Sequence, residues 1–379
     1  MQHHELAAQL AALQQRHQYR QRVRLDSPQG VHVSLNGGET LSFASNDYLG
    51  LANHPALVDT AREAMLRWGV GAGASHLVTG HSAAHEEAEA VLADWIGTPE
   101  ALLFGCGYLA NQAVMTALLG RGDEVFADKL NHASLNDGAL LSRARLRRFR
   151  HNDLAQLESL LQNSRARTRM IVVDAVYSMD GDEAPLPALL DLARRYDAWL
   201  FLDDAHGFGI SGGGRGALTE YALHDPRVIY MATLGKAAGV SGAVVAGSRE
   251  LCAWLVNRAR AYIYTTASPP ALAVTVSRAV GLIRDEAWRR ERLAGHIARV
   301  QAASLPYPVL ASRFAIQALM VGTNSATLAL AERLARAGVW VPAIRPPTVP
   351  AGTARLRISL SAAHSEQDIE ALLVALCRS

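Results

Sequence analysis

WLFLDDAH (199–206) and VIYMATLGK (228–236) are the two stretches on which the fold turns. In each, an apolar run reads as a buried strand. Trp199–Leu202 ends in Asp203, Asp204 and His206, and Val228–Ala232 ends in Thr233, Gly235 and Lys236. Open α/β sheets bind ligands beyond the carboxyl ends of their strands, where these side chains stand. An acid and an imidazole after one strand, then a lysine in a Thr/Gly setting after the next, form the set that pyridoxal phosphate (PLP) needs. The lysine amine forms a Schiff base with it, and Asp203 keeps the pyridine nitrogen protonated so that the ring accepts electrons from a substrate carbanion. A carboxylate beside a pyridinium stays ionised because the opposite charge offsets its desolvation. A strand-end aspartate alone is as readily a helix cap. Lys236 tips the reading.

Working outward, Ala101–Phe104, Glu124–Ala127, Ile171–Asp174, Leu200–Asp203, Val228–Ala232 and Ala243–Ala246 are strand candidates separated by helical patterns. That alternation predicts an α/β fold, a mostly parallel sheet with helices on both faces. Upstream, Leu6, Leu10 and Leu13 mark an amphipathic helix, short strands at Val31–Ser34 and Leu41–Phe43 flank an Asn36-Gly37-Gly38 turn, and a helix starts near Pro55. Downstream, Ala271–Val300 reads as one long helix. Ala315–Val321, Ser325–Ala337, Arg355–Leu360 and Gln367–Cys377 then compose a smaller α+β lobe. The expected division is residues 1–45 as an N-terminal helix-and-strand segment, 46–280 as a large PLP-binding domain and 281–379 as a small C-terminal domain.

The 379 residues are 50% hydrophobic and 19% charged, ordinary for a globular chain with a large core. A net charge of +2 gives no global field to recruit nucleic acid or an anionic membrane, and no apolar run is long enough to span a bilayer. The first residues lack the apolar core of a signal peptide. Three scattered cysteines form no CxxC pair, which argues against a disulfide framework or zinc site and fits a reducing, cytoplasmic compartment.

Several other patterns compete for function. Gly207-Phe-Gly-Ile-Ser-Gly212 matches GxGxxG, but Asp203 and Asp204 would repel a pyrophosphate and no apolar helix follows. Gly105-Cys-Gly107-Tyr108 opens an apolar helix and offers backbone N–H groups as a phosphate cradle, to which Thr233 can add a hydroxyl. His81 and His85 stand four apart, yet without HExxH order or a third ligand no metal site is expected. Arg143, Arg145, Arg147, Arg148 and Arg150 form a basic run whose commonest meaning is a solvated strand face. A nucleic-acid patch is the sharpest alternative, but no RNA- or DNA-binding motif accompanies the run; a dock for coenzyme A phosphates or an acidic carrier protein lies between the two. Arg355 and Arg357 alternate with apolar residues on one strand, and a guanidinium there can clamp a carboxylate.

With these residues in view, the chain resembles the α-oxoamine synthases, PLP-dependent transferases of fold type I. The resemblance is carried by SNDYLGL (45–51), NHASL (131–135), YSMDGD (177–182), DDAHGFG (203–209), TLGK (233–236) and IRPPTVPAGTARLRISLSAAH (344–364), in the family's order along nearly the whole chain. The loop from Gly71 to Leu77 departs from the family's more glycine-rich form, with His76 in place of a small residue. The resemblance implies that Lys236 carries the cofactor and moves the substrate α-proton, Asp203 pairs with the pyridinium and His206 meets the ring hydroxyl. His132 would stack on the ring, next to the substrate. Gly107, Tyr108, Ser178 and Thr233 would contact the cofactor, and Thr265 and Thr266 would reach the phosphate of a homodimeric partner. Asn46 and Arg357 would hold an amino acid carboxylate, with Arg20 and Thr348 near the acyl substrate. The last block is most similar to members that condense L-alanine with a pimeloyl thioester of coenzyme A or acyl carrier protein, releasing carbon dioxide and thiol in biotin synthesis. Sister members use glycine or serine.

Overall fold

The computed structural model describes residues 3–16, 18–35 and 37–378. The strands are β1 (His32–Leu35), β2 (Gly38–Ser42), β3 (Glu100–Phe104), β4 (Glu124–Asp128), β5 (Arg145–Phe149), β6 (Arg169–Asp174), β7 (Trp199–Asp203), β8 (Val228–Thr233), β9 (Ala243–Gly247), β10 (Ile316–Gly322), β11 (Val339–Trp340), β12 (Ala343–Ile344) and β13 (Ala354–Ser359). They fall into a seven-stranded sheet of order β3-β9-β8-β7-β6-β4-β5 and two three-stranded sheets, β1-β2-β11 and β10-β13-β12. In the large sheet every neighbouring pair is parallel except those of β9, which runs against both β3 and β8.

The chain divides into two compact units. One takes in the chain through Gly50, Met179–Gly181 and the chain from Glu291 onward; the other is Leu51–Ser178 with Asp182–Arg290. The second unit holds the large sheet. Its strands β4, β6, β7 and β8 are near-continuous apolar runs because helices cover both faces. Phe126, Ile171, Val172, Leu200, Phe201 and Ile229 are wholly buried. Local chemistry fixes the helix ends. Pro55 follows the His54 cap, Ser82 and His85 make a reciprocal capping box, and Gly97 ends the helix Ala83–Ile96 in the left-handed conformation.

All six strand candidates of the large sheet are strands, and the sheet is mostly parallel as expected. The basic run is a seventh, β5, at the sheet edge beside β4. Arg143, Arg145, Arg148 and Arg150 are exposed there, and charged side chains of this kind protect an edge from pairing with other chains. The long helix expected over Ala271–Val300 is instead two, Pro270–Asp285 and Trp288–Ala302. The backbone leaves the helical path at Glu286, whose carboxylate accepts from Arg289 Nε at 2.6 Å, so an ion pair closes a break that the apolar periodicity runs straight through. The N-terminal helix forms at Leu6–Gln15 but buries no residue; Leu6 and Leu10 are exposed. The turn read at Asn36 lies outside the described residues.

The other unit is assembled from both ends of the sequence. β2 pairs antiparallel with β1 and parallel with β11, while β13 lies between β10 and β12. Among the described residues no helix is long and apolar enough to cross a membrane.

Candidate active site

The carboxyl ends of β3, β4, β6, β7 and β8 supply one cavity of about 190 Å³. It is lined by Gly107, Tyr108, Asn111, His132, Ser134, Asp174, Asp203, Ala205, His206, Met231, Thr233 and Lys236. Beyond β7, Asp203 accepts the Ala205 N–H on Oδ1 at 3.0 Å and Asn111 Nδ2 on Oδ2 at 2.8 Å. Beyond β8 the chain turns tightly: Gly235 N–H donates to Thr233 Oγ1 at 3.4 Å, and the Thr233 hydroxyl donates to the Gly242 carbonyl at 3.1 Å. This turn delivers Lys236, whose Nζ stands 2.9 Å from His206 Nε2. The acid, the imidazole and the amine that the sequence singled out are therefore brought together.

β4 contributes His132 through the loop that follows it. The His132 N–H donates to Asp174 Oδ2 at 2.7 Å, and Asn131 Nδ2 donates to the Val172 carbonyl at 2.7 Å, tying the loop to the end of β6. His132 also caps the helix Ala133–Ser142: its Nδ1 accepts the Ser134 N–H at 3.2 Å and lies 2.7 Å from Ser134 Oγ. An accepting Nδ1 puts the proton of the neutral ring on Nε2. Asn111 Nδ2 reaches both Ser134 Oγ, at 2.9 Å, and Asp203, so one amide braces the ring and the acid together. Burial lowers the His132 pKa, with the Asp203 carboxylate opposing and the Lys236 ammonium adding to the shift. Asp174, sealed from solvent, is pushed well above the usual carboxylate range by burial and by the nearby Asp203.

Sequence reasoning missed Asn111, Ser134 and Asp174. Asp174 is a third strand-end acid, a signal the sequence does carry, whereas Asn111, one helical turn past the Gly107 cradle, has none. Ser178, Thr265 and Thr266 do not line this cavity. Ser178 is half-buried on the segment that leaves β6. Thr266 bridges to Ser75, and the Ala267 N–H donates to the Ala74 carbonyl at 3.0 Å, which fastens the Thr265–Thr266 segment to the loop holding His76. His76 stacks on Tyr262 and its Nδ1 lies 2.9 Å from His81 Nδ1, while His85 Nε2 meets the Ser268 carbonyl at 2.8 Å.

In the other unit, Arg357 is buried on β13. Its guanidinium donates to Asn46 Oδ1 at 3.1 Å, to Ser359 Oγ at 2.9 Å and to the Tyr48 hydroxyl at 3.5 Å. Arg355, two residues before it, is paired with Asp180, so of the two alternating arginines this one already has its carboxylate. Arg20 Nη2 donates to Thr348 Oγ1 at 3.1 Å, joining two positions far apart in sequence.

The residues of the cavity fit PLP. The helix Gly107–Leu118 starts at Cys106 with no side-chain cap, leaving its first N–H groups for an anion, and the space at Gly107 is bounded only by ordinary contacts with Met231 and Thr233. A primary amine and a buried carboxylate stand in the same cavity.

The class I and II aminotransferase family model matches residues 39–376. The 8-amino-7-oxononanoate synthase of Chromobacterium violaceum is 59% identical over 99% of this chain and 98% of its own length. The chain belongs to the 8-amino-7-oxononanoate synthase family. The family member of Thiobacillus denitrificans is 58% identical over 96% of this chain and 95% of its own. Among solved structures, the serine palmitoyltransferase of S. paucimobilis with a bound PLP–myriocin aldimine superposes with a TM-score of 0.92 at 27% identity, covering 98% of this chain and 96% of that one. The 8-amino-7-oxononanoate synthase family is one of PLP-dependent acyltransferases, and this chain shares its α/β transferase fold.

Proposed function

We propose that this protein catalyses the decarboxylative condensation of L-alanine with a pimeloyl thioester of coenzyme A or acyl carrier protein, giving 8-amino-7-oxononanoate, carbon dioxide and free thiol in biotin synthesis. The observation that supports this most strongly is the near-full-length identity with relatives named for that product. We place the reaction in the cytoplasm, in a homodimer.

Lys236 would hold PLP covalently, Asp203 would pair with its ring nitrogen, His206 with its hydroxyl, and His132 would lie on its face. Gly107, Tyr108, Ser178 and Thr233 would complete the contacts, with Thr265 and Thr266 serving the phosphate in the partner subunit. When bound, that group supplies an electron-withdrawing ring that stabilises negative charge at the amino acid α-carbon. The chain's own residues do the rest. Lys236 Nζ takes the proton from the α-carbon of L-alanine and returns one to the same carbon after carbon dioxide has left. His132, kept neutral by burial, would cover the ring without placing a second desolvated cation beside Lys236. Arg357, with Asn46, holds the amino acid carboxylate. Arg20 and Thr348 meet the acyl substrate, and the fixed placement of both reactants replaces a bimolecular encounter.

The test is thiol release by the purified protein given pimeloyl-coenzyme A, or pimeloyl-acyl carrier protein, with L-alanine, glycine or L-serine in separate reactions. Release that depends on L-alanine, with carbon dioxide formed alongside, is expected. Release only with glycine or serine would move the chain to a sister activity.

A further inference from the structure

His151 follows the edge strand β5 and belongs to no motif read from the sequence. Its ring is spanned by two acids from different loops: Nδ1 lies 3.1 Å from Asp128 Oδ1, and Nε2 lies 2.6 Å from Asp182 Oδ2. A carboxylate oxygen only accepts, so both ring nitrogens carry protons and the ring is an imidazolium. Burial alone would lower its pKa; the two carboxylates outweigh that and raise it to about 9. Tyr177 packs edge-on against the ring, with centroids 4.5 Å apart.

Each acid governs a different loop. Asp128 is fully buried at the end of β4 and also accepts the N–H groups of Leu130 and Asn152, both at 2.8 Å. It thereby shapes the start of the 129–132 loop that carries His132. Asp182 closes the segment that leaves β6 through Ser178, and its carbonyl accepts the Tyr177 N–H at 2.9 Å. Asn152 Nδ2 adds a bond to the Glu183 carbonyl at 2.9 Å. Nearby in sequence, the Glu183 carboxylate accepts from the Tyr221 hydroxyl, and Arg150 Nε pairs with Asp153 at 2.8 Å.

We propose that His151, held as an imidazolium between Asp128 and Asp182, is a positioning residue that locks the His132 loop to the Tyr177–Glu183 segment. It rests on the reading above of His132 and Ser178 as cofactor contacts. A neutral ring at this place could donate to only one of the two acids, and the other would lose its charged hydrogen bond.

The test uses the holoenzyme. With ¹⁵N-labelled histidine, the His151 ring is expected to be doubly protonated at pH 8 and to titrate only near pH 9; a ring found neutral at pH 8 overturns the proposal without any substitution. His151→Gln, which can donate one bond but carries no charge, is expected to weaken PLP binding about tenfold and to lower kcat by roughly 10- to 100-fold, the cost of a small misplacement at the reacting centre. Asp182→Asn, which keeps Asp128 in place, is expected to act in the same direction. A lowered melting temperature with PLP affinity and kcat within about twofold of wild type would make His151 a structural brace only and sink the proposal. Loss of L-alanine-dependent thiol release in the wild type itself would count against the assigned reaction, while PLP affinity and the ring titration would still judge His151.

Discussion

At the residue scale the site is organised by which acid is given which partner. Asp203 receives N–H donors on both oxygens, whereas Asp174 is driven towards its neutral form by burial and by Asp203 itself. The two neighbouring acids are thus held differently, and Asp203 shares its cavity with an amine that sits against His206. Replacing Lys236 by Ala removes the group assigned to proton transfer, and turnover should fall by roughly 10²–10⁴-fold or more. Thiol release would read this, with an unchanged circular dichroism spectrum as the control for folding. Asn111→Leu removes the amide that braces Asp203 and Ser134. A hydrogen bond to a charged group is worth about 1.5–3 kcal/mol, so PLP should bind about ten- to a hundredfold more weakly in a spectrophotometric titration. Unaltered affinity would mean that Ala205 alone suffices to orient Asp203. Lys236, Asp203 and His206 could be read from strand-end position and chemistry. Asn111 could not, because an asparagine inside an apolar helix reveals its role only when β7 is placed beside that helix.

At the element scale, Gly207 and Gly216 answer to one steric demand. A Cβ on Gly207 would lie 2.1 Å from Asp204 Oδ1, and one on Gly216 would lie 2.3 Å from the Tyr230 hydroxyl and 2.6 Å from Asp204 Oδ2, at a φ of +98°. These two glycines therefore make room for a buried acid. Asp204 accepts from Tyr230 at 2.8 Å and from the Ala217 N–H at 2.7 Å, and burial raises its pKa to about 7. The cause of these two glycines lies in a contact that spacing does not encode. Gly207→Ala should destabilise the protein by roughly 1–3 kcal/mol through overpacking, seen as a melting temperature lower by a few degrees. An unshifted melting temperature would show that the Asp204 side chain can move aside. The same limit on pattern reading produced the single helix expected over Ala271–Val300. Apolar periodicity survives a break that one ion pair can close, while the strands β4, β6, β7 and β8 were legible because burial on both faces leaves no ambiguity in an apolar run.

At the scale of the whole molecule, sequence order and compactness part company. The segment through Gly50 is built into one unit with the C-terminal residues: the Phe43 N–H donates to the Trp340 carbonyl, the Ser359 N–H to the Phe43 carbonyl and the Ala362 N–H to the Tyr48 carbonyl, all at 2.8–2.9 Å. No local pattern announces such pairing, since each strand looks complete by itself. His364 ties this assembly together. Its ring stacks on Phe43 with centroids 4.2 Å apart, its Nδ1 accepts the Ser361 N–H at 3.0 Å, and its Nε2–H donates to the Ser42 carbonyl at 3.0 Å. Burial lowers its pKa to about 4, against an ordinary value of 6.5. A group shifted down in this way keeps its proton off in the folded state while the unfolded chain binds one. Its stabilisation is therefore full above pH 6.5 and is lost as the pH falls from 6.5 through 4, a change of roughly 3 kcal/mol when complete. Thermal unfolding at pH 7.5 and 4.5 should show the wild type losing stability at the lower pH, with the His364→Asn variant less stable at pH 7.5 but losing less on acidification. His76, lowered to about 4 by burial and by its histidine neighbours, remains in the variant and sets part of the residual loss. Equal acid losses in wild type and variant would show that the tie between Ser42 and His364 does not depend on a neutral ring.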